Sequence, residues 1–274
     1  MKFIQINTHH TPGAMANLMK LTSKPDGWDG NHPNSGDENN PKHWEDNVFI
    51  TEPYLVMGRI SGLNGRRVIS HKENPRAAIM LPPHVEAQKR PDFTDRDTAT
   101  CMIKIDQKWY LITSLYCDGK KDPISKKLTE ILEYANTNEI GLLICADSNS
   151  WNMLWGCDYT SDRGMKWDEE IIRYSLNVHN IGNVPTFQRQ NAKSIIDITV
   201  TNPYFKEINN WRVDTKNDSH SDHKYIMFDI NCQEKETQLK TFRNLKKANW
   251  SMYQNDLDDY VKKNKLTQRE AFNY

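Results

Sequence analysis

The chain has 274 residues, with 36 basic and 36 acidic side chains that give a formal net charge of zero at pH 7. This length fits one large domain or two small ones, and the zero charge excludes the broad basic surface typical of many nucleic-acid-binding proteins. No apolar run reaches the length of a membrane span, and no signal-peptide core precedes the first strand-like residues. The five scattered cysteines form no CxxC pair, which predicts reduced thiols in an intracellular protein.

The N-terminal third predicts short strands and one helix. Residues 2–7 alternate apolar and polar side chains and predict a strand that ends at Asn7. Residues 13–22 have helical spacing, whereas residues 23–46 are rich in Gly, Pro, Asn and Asp and predict a long surface loop. An apolar strand then stops at Glu52-Pro53, and further short strands are expected at residues 55–60, 66–70 and 77–81.

The central part predicts a hairpin followed by alternating helices and strands. Residues 98–105 and 109–116 form the hairpin, with Tyr116 at its end. Asp122 as N-cap and Pro123 at the first helical position predict a helix over residues 124–136. A buried strand over residues 141–146 leads into Asp147-Ser148-Asn149. A second helix is expected over residues 163–178, with inward side chains at Met165, Ile171, Ile172 and Leu176.

The C-terminal third contains a carboxylate where a strand core is expected. Asp197 lies within the run Ile-Ile-Asp-Ile-Thr, and a buried charge is costly unless it is paired. His223 precedes the next long apolar strand and is the obvious partner. A short strand starting at residue 185 and a polar turn at 188–193 come before Asp197. Beyond residue 231 charges alternate with few apolar residues, so we expect a domain over 1–231 and a polar tail or linker over 232–274.

Several polar side chains follow or interrupt strand-like runs, where ligand sites form in layered sheets. They are Asn7, Glu52, Tyr116, Asp147, Asn149, Asp197, Asp222 and His223. Carboxylates of this set can hold a hard cation, amides can donate to a phosphate, and a histidine can move a proton. Together they fit metal-assisted hydrolysis of a phosphate ester.

Taken singly, each motif has an ordinary structural interpretation. Asn7 is typical of turns, Glu52 before a proline ends a strand, and Tyr116 fits a sheet aromatic. Asp147-Ser148-Asn149 is also typical of a helix cap. The remaining histidines of interest are interpreted as ordinary surface or loop residues: His9, His10, His179 and His220.

The order of these residues resembles the endonuclease/exonuclease/phosphatase family. Its motifs run Asn, Glu, Tyr or His, Asp-x-Asn, Asp and Ser-Asp-His. Here they stand as Asn7, Glu52, Tyr116, Asp147-Ser148-Asn149, Asp197 and Ser221-Asp222-His223. The likeness covers about residues 1–231.

Finer features resemble the apurinic-type endonuclease domain of non-LTR retrotransposons, found in LINE-like reverse-transcriptase polyproteins. They are Ile4–Asn7, Glu52–Tyr54, Ala146–Gly156, Asp162–Gly164, Pro185–Phe187 and Ile195–Asp197. The segment Phe242–Trp250 resembles the linker before the reverse transcriptase of those polyproteins. No polymerase follows in this sequence, so a fragment, a truncated copy and a domesticated endonuclease all stay open.

The resemblance implies a DNase I-like four-layer α/β sandwich, in which two packed, mostly antiparallel β-sheets are flanked by helices. It also implies a divalent metal, Mg²⁺ or Mn²⁺, and nicking of DNA to leave a 3′-hydroxyl that primes reverse transcription. The partners implied are DNA and a reverse transcriptase domain of a parent polyprotein. A nuclear location follows from the need to meet chromosomal DNA.

Carried over by position, the resemblance assigns roles to the metal and phosphate ligands. Glu52 would hold the metal with Asp222 near it, and Tyr116 would lie at the phosphate or leaving group. In the turn at 188–193, which resembles a hairpin that probes the DNA groove, Arg189 and Lys193 would contact phosphates.

The remaining roles concern proton transfer. Asn7 belongs to the same catalytic set, and Asp147 would position or deprotonate the attacking water beside Asn149. Asp197 would orient His223 against the scissile phosphate. Whether Asp147 or His223 is the general base stays open at this stage.

Two rival functions are weighed against DNA nicking. The first is another phosphodiesterase or an abasic-site nuclease of the same fold; Tyr116, in place of the histidine of lipid-acting members, favours the nucleic-acid branch. The retrotransposon-like segment Trp151–Gly156 disfavours repair. The second rival is an inactive element remnant that only binds nucleic acid, which the intact motif set disfavours.

Overall fold

The computed structural model describes residues 1–23, 46–63, 65–190, 192–232 and 250–264. Most of the predicted loop over 23–46 lies outside these described residues. The chain divides into two compact units, Met1–Gln233 and Glu234–Tyr274. In the described part of the chain, no helix has the length and apolar character needed to cross a membrane.

In its described residues, the first unit contains three α-helices and a series of mostly short strands. The helices are α1 (Pro12–Leu21), α2 (Lys126–Thr137) and α3 (Asp162–Arg173). The strands are β1 (Lys2–Asn7), β2 (Asn47–Thr51), β3 (Leu55–Val56), β4 (Arg59–Ile60), β5 (Arg67–Ser70), β6 (Ala77–Leu81), β7 (Ala87–Lys89), β8 (Thr98–Ile105), β9 (Lys108–Tyr116), β10 (Leu142–Asp147), β11 (Asn177–Val178), β12 (Phe187–Arg189), β13 (Ala192–Ser194), β14 (Asp197–Thr201), β15 (Ile208–Val213) and β16 (Ile226–Ile230). The second unit contributes α4 (Trp250–Asn264).

Two six-stranded sheets organise the first unit. The first has the strand order β15-β16-β1-β2-β6-β5, and the second has the order β11-β14-β10-β9-β8-β7. The pairs β1–β2 and β9–β10 are parallel, whereas the other pairs within the two sheets are antiparallel. The expected mostly antiparallel arrangement is therefore confirmed.

Three apolar clusters place these sheets in four layers. The central cluster joins Phe3 and Phe49 of the first sheet to Ile112 and Leu143 of the second, so the sheets pack face to face. A second cluster packs α2 and α3, through residues such as Trp167, on the outer face of the second sheet. A third packs α1 on the outer face of the first sheet. The order helix, sheet, sheet, helix is the predicted α/β sandwich.

A buried glutamine connects the two sheets through polar contacts. Gln5 of β1 donates from Nε2 to the carbonyl oxygens of Ala146 (3.1 Å) and Ile198 (3.3 Å) in the second sheet. Its Oε1 accepts a 3.0 Å bond from the Thr199 hydroxyl. Because a buried amide is costly without partners, these bonds favour one alignment of the sheets. Asn7, two residues further along the strand, lies on the same face of β1.

Both later helices differ from their predicted bounds. The α2 N-cap is Ser125, whose Oγ accepts from the Leu128 amide at 3.1 Å, so the prediction of Asp122 as N-cap was wrong. Asp122 instead accepts from the Ile124 amide at 3.0 Å, two residues on, which is an Asx-type turn. Helical spacing alone does not distinguish these two starts.

The end of α3 and two of the four residues predicted to face inward were also mispredicted, whereas Ile171 and Leu176 do pack in the second apolar cluster. The helix ends at Arg173, and Leu176 lies just before β11. Met165 and Ile172 are exposed, while Gly164 and Trp167 are buried. The cause is a close approach at Gly164, where an added Cβ would lie 2.1 Å from the Trp151 carbonyl oxygen. That approach turns the Gly164 face of the helix toward the core.

Candidate active site

Three predicted site residues form one row across the second sheet. Asp147, the last residue of β10, pairs with Tyr116 at the end of the parallel β9 and with Asp197 at the start of the antiparallel β14. Directly paired residues present their side chains on the same face of a sheet. The sheet register therefore brings one phenol and two carboxylates together.

The first sheet supplies an amide that links carboxylates from both sheets. Asn7 ends β1 and pairs with Thr51, so Glu52 follows at the same edge. The Nδ2 of Asn7 donates to Glu52 Oε2 at 3.0 Å and to Asp147 Oδ2 at 2.8 Å. Asn7 is 1 % exposed, so its two amide protons are committed to these carboxylates.

His223 lies in direct contact with Asp197. The sequence predicted this contact, because a carboxylate buried in β14 is costly without a partner. The distance between His223 Nδ1 and Asp197 Oδ2 is 2.8 Å, and the two residues are 4 % and 2 % exposed. Because a carboxylate only accepts, the bond fixes a proton on Nδ1 of His223. The Nε2 atom lies 3.9 Å from Asp222 Oδ1.

The segment that carries His223 is held by neighbouring backbone. The Ser221 hydroxyl donates to the Asn7 carbonyl at 2.8 Å and accepts from the His223 amide at 3.3 Å. Phe187 of β12 forms an isolated bridge with His223, and its ring packs edge-on against the imidazole with centroids 5.1 Å apart. The serine of the Ser-Asp-His motif thus has a positioning contact of its own.

The pKa values of Asp147 and His223 are both raised, for different reasons. Burial, and then the charge of Asp197, raise the pKa of Asp147 to about 7, against the opposing effects of His223 and Asn7. Burial lowers the pKa of His223, but the carboxylate of Asp197 and its hydrogen bond outweigh it, and the net result is a pKa raised to about 9. Burial and the Glu52 carboxylate raise the pKa of Tyr116 as well.

Two site residues have a backbone that side-chain-bearing residues seldom adopt. Glu52 has φ = 46° and Asn149 has φ = 45°, in the left-handed region. Glu52 is held because its amide donates to the Arg76 carbonyl at 2.8 Å. Asn149 is held by its Nδ2 bond to the Cys117 carbonyl at 3.0 Å and by the Arg163 guanidinium, which donates to the Asn149 carbonyl at 2.8 Å. Strain of this kind is common at functional sites.

The donor set fits a divalent cation. Ligand-type atoms of Asp147, Asp197 and His223 lie within 4.8 Å of one another. Because the imidazole is charged beside Asp197, the carboxylates are the ligands of this set that are available to an ion. Glu52 and Asp222 flank the same region, since both lie near His9 Nδ1, at 3.8 Å and 3.7 Å. An excess of carboxylate oxygens over cationic groups suits a hard ion.

Arg189 and Lys193 lie on the exposed β12–β13 hairpin, whose first residue, Phe187, contacts His223. Within the described residues, the predicted turn over 188–193 lies in two short paired strands, with Gln188 opposite Lys193 and Arg189 opposite Ala192. The hairpin is placed beside the site, with both basic side chains available to solvent.

Sequence reasoning missed three contributors to this site. The buried Thr186 hydroxyl accepts from the amides of Ile196 and Asp197, both at 3.1 Å. The Arg76 guanidinium lies 4.6 Å from the centroid of the Tyr116 ring and is paired with Asp97. The third contributor is the pair His9 and His10, interpreted above as ordinary, whose rings lie beside Glu52. Two adjacent histidines directly after the Asn7 strand were the one available signal.

Comparisons with known proteins agree with this geometry. Residues 110–227 match the family model described as endonuclease-reverse transcriptase. The endonuclease domain of TRAS1, a telomere-specific non-LTR retrotransposon, superposes with a TM-score of 0.67 at 22% identity, covering 85% of this chain and 99% of that domain. No curated protein matches this sequence.

Two further structures share the fold at lower identity. The AP endonuclease LMAP from Leishmania major has a TM-score of 0.59 and 13% identity, covering 83% of this chain and 86% of that one. The APE2 catalytic domain from Xenopus laevis has a TM-score of 0.53 and 12% identity, covering 85% and 92%. At these identities the likeness shows the fold.

The four layers and the polar residues converging at the sheet edges define an α/β sandwich with a candidate site at one edge. The match of residues 110–227 to the endonuclease-reverse transcriptase family model, and the fold shared with the TRAS1 endonuclease domain, agree with the resemblance to the endonuclease/exonuclease/phosphatase family. The recognition made from the sequence is confirmed.

Proposed function

We propose that this protein is a metal-dependent DNA endonuclease that nicks target DNA and leaves a 3′-hydroxyl, as in target-primed reverse transcription. The observation that carries the proposal is the buried Asp197–His223 pair, 2.8 Å apart, in the same cluster as Asp147. An oriented imidazole and a second carboxylate in one cluster suit the hydrolysis of a phosphate ester by water.

In the proposed reaction, water attacks the phosphorus and the bond from phosphorus to the 3′ oxygen breaks. Asp147 takes the proton of the attacking water, and Asn149 lies beside it to orient that water. A carboxylate whose pKa is raised to about 7 is better matched to this role than an ordinary aspartate. The products are a 5′-phosphate and a 3′ oxygen that receives a proton.

His223 and Tyr116 are assigned to the phosphate. Asp197 keeps His223 charged and oriented, so that its Nε2–H can stabilise the developing negative charge. Tyr116, in the same row as Asp147, is assigned to the leaving-group side. In this proposal Asp147, and not His223, is the general base.

Glu52 and Asp222 are proposed as metal ligands, with Mg²⁺ or Mn²⁺ as the cofactor. When bound, such an ion supplies Lewis-acid stabilisation of the phosphate oxygens. Asn7 holds Glu52 and Asp147 in a fixed relation, so the ligand and the base keep their spacing.

Arg189 and Lys193 are proposed as phosphate contacts, because their exposed hairpin adjoins His223. The natural substrate would then be chromosomal DNA in the nucleus. A reverse transcriptase domain of the parent polyprotein is the partner that would extend the 3′-hydroxyl.

The test is nicking of supercoiled plasmid DNA with Mg²⁺, with EDTA, and with the variants His223→Ala and Asp147→Asn. We expect Mg²⁺-dependent nicking that falls by at least about a hundredfold in either variant. His84→Ala, at an exposed histidine between β6 and β7, is the control that retains activity. A folded wild type that nicks no DNA with any divalent ion would overturn the proposal.

The product end is tested separately. A DNA polymerase should extend the nick without prior phosphatase treatment, since extension requires a free 3′-hydroxyl. Extension that appears only after phosphatase treatment would mean that the opposite phosphate bond is cut.

A further inference from the structure

The β1–α1 turn brings two adjacent histidines to the Glu52 carboxylate. His10 Nε2 lies 3.5 Å from Glu52 Oε1, and His9 Nδ1 lies 3.8 Å from Glu52 Oε2. Both residues have left-handed backbone, with φ values of 46° for His9 and 54° for His10. Consecutive residues in this region form a tight turn, which directs both imidazoles back toward β2 and Glu52.

The backbones of His10 and Glu52 are tied to each other. The His10 amide and the Thr8 hydroxyl both donate to the Glu52 carbonyl, each at 2.8 Å. The Glu52 amide donates to the Arg76 carbonyl at 2.8 Å. The imidazole and the carboxylate are therefore fixed relative to each other before any ligand arrives.

The hydrogen bond on the other side of the ring fixes the His10 tautomer. His10 Nδ1 lies 3.0 Å from the Pro53 carbonyl oxygen, which can only accept, so Nδ1 carries the proton. In the neutral ring, Nε2 then presents its lone pair toward Glu52 Oε1. A histidine that donates its other nitrogen to a backbone carbonyl is the usual arrangement of a metal ligand.

The spacing of the two atoms also suits a shared ion. Two ligands, each about 2.1 Å from one ion at a tetrahedral angle, lie about 3.4 Å apart. The observed separation of His10 Nε2 and Glu52 Oε1 is 3.5 Å. The side chain of His10 is 46% exposed, which leaves room for water or substrate to complete the coordination.

We propose that His10 is a nitrogen ligand of the cation held by Glu52, and that the site binds a divalent transition metal ion more tightly than Mg²⁺. The inference rests on the proposed function only in taking Glu52 as a metal ligand. Imidazole nitrogen favours transition metals, whereas Mg²⁺ prefers oxygen ligands and retains its water. An all-oxygen site would show a smaller preference for transition metals over Mg²⁺.

The experiment measures binding of Co²⁺ and of Mg²⁺ to the full chain by calorimetry, with the visible absorption of bound Co²⁺ as a second signal. We expect His10→Gln to raise the Kd for Co²⁺ by at least about tenfold, to change the Co²⁺ spectrum, and to leave the Kd for Mg²⁺ within about twofold. His220→Gln is the matched control. Like His10, His220 is exposed and has left-handed backbone (φ = 56°), and it precedes Asp222 by two residues. It is not proposed as a ligand, so its substitution should leave both Kd values unchanged.

A further variant locates the ion. Glu52→Gln should weaken the binding of both metals; Co²⁺ binding that depends on His10 but not on Glu52 would place the ion elsewhere and overturn the proposal. Unchanged Co²⁺ affinity in His10→Gln would do the same. A change of equal size and sign for Co²⁺ and Mg²⁺ would mean that His10 is only a cationic partner of Glu52.

The metal data and the nicking data are independent of each other. Normal nicking combined with His10-independent Co²⁺ binding would refute the ligand assignment alone. Absence of nicking combined with His10-dependent Co²⁺ binding would refute the nuclease and leave the ligand assignment standing.

Discussion

At the scale of single residues, the site depends on polar side chains that hydrogen-bond to one another. Asn7 shows this directly: its two donor bonds go to Glu52 and Asp147, and its Oδ1 accepts from the His9 amide at 2.7 Å. One amide thereby fixes a proposed metal ligand, a proposed base and the start of the histidine turn. Removal of such a buried hub leaves several partners unsatisfied at once.

Asp197 gives the sharpest test at this scale. Asp197→Asn keeps the size and an acceptor for His223 Nδ1, but removes the negative charge that stabilises the imidazolium. We expect kcat for nicking to fall by about a hundredfold or more with little change in KM. By NMR titration, the pKa of His223 should fall from its raised value of about 9. An unchanged kcat together with an unchanged His223 titration would contradict the assigned role.

Residues with a chemical signature could be predicted, and residues that act through geometry could not. Asp147, Asp197 and His223 are ionisable groups at strand ends, and the cost of burying Asp197 alone required a partner. Thr186 has no such signature, because a hydroxyl that accepts two amide bonds looks like any other threonine in a sequence. His10 was overlooked because its importance comes from a backbone conformation that places it beside Glu52.

At the scale of elements, the β12–β13 hairpin and the residue before it contact both the segment that carries His223 and the segment that carries Asp197. The Gln188 amide donates to the Asp222 carbonyl at 2.7 Å, while the preceding Thr186 accepts from the amides that lead into Asp197. The same short segment thus contacts both the His223 loop and the start of β14. Its fold sets the distance between them.

Thr186→Val tests this connection, with Thr186→Ser as the matched control that keeps the hydroxyl. Valine has nearly the same shape but leaves two buried amides without an acceptor, so the free energy of unfolding should fall by about 1–3 kcal/mol. Nicking should fall as well, because Asp197 loses a backbone anchor. Urea unfolding and plasmid nicking measure the two effects. Equal behaviour of the valine and serine variants would show that the hydroxyl has no role.

The start of α3 is a second element whose position is fixed by a close contact. An added Cβ at Gly164 would lie 2.1 Å from the Trp151 carbonyl oxygen, whereas one at Gly119 would meet nothing within 4 Å. We expect Gly164→Ala to lower the free energy of unfolding by about 1–3 kcal/mol, and Gly119→Ala to change it by less than about 0.5 kcal/mol. Thermal unfolding distinguishes them, and a near-neutral Gly164→Ala would mean that the Trp151 segment moves easily.

Element boundaries were less predictable than element types. The β8–β9 hairpin is confirmed because its alternation and its turn residues are local features. The exposure of Ile172 could not be foreseen from helical spacing. It follows from the packing of Gly164 against the backbone of Trp151, which only the folded structure shows. The sequence of α3 is compatible with more than one inward face, and tertiary contacts determine which of them packs on the core.

At the scale of the whole molecule, the first unit contains every residue assigned to the site. It ends at Gln233, and the three apolar clusters are formed by residues within it. In the second unit, α4 leaves Trp250, Met252 and Tyr260 exposed. The compact unit ends two residues beyond residue 231, where the composition of the sequence changes.

Deletion of residues 234–274 tests this division. We expect the shortened chain to unfold at the same urea concentration as the full chain, and to nick plasmid DNA at a rate within about twofold of it, because site and core lie in one cooperative unit. The measurement compares both proteins side by side. A loss of folding or of nicking would assign part of the core or of the substrate surface to the second unit.

The row formed by Tyr116, Asp147 and Asp197 has a consequence for how this protein can vary. A slip of one residue in the pairing of β10 with β9 or with β14 would place one of these side chains on the opposite face of the sheet. The arrangement of the site therefore depends on the alignment of these strands. Insertions within these strands would abolish nicking even where the molecule still folded, while insertions in connecting loops would be tolerated. Under the proposed function, selection for DNA nicking is therefore also selection for the correct alignment of these strands.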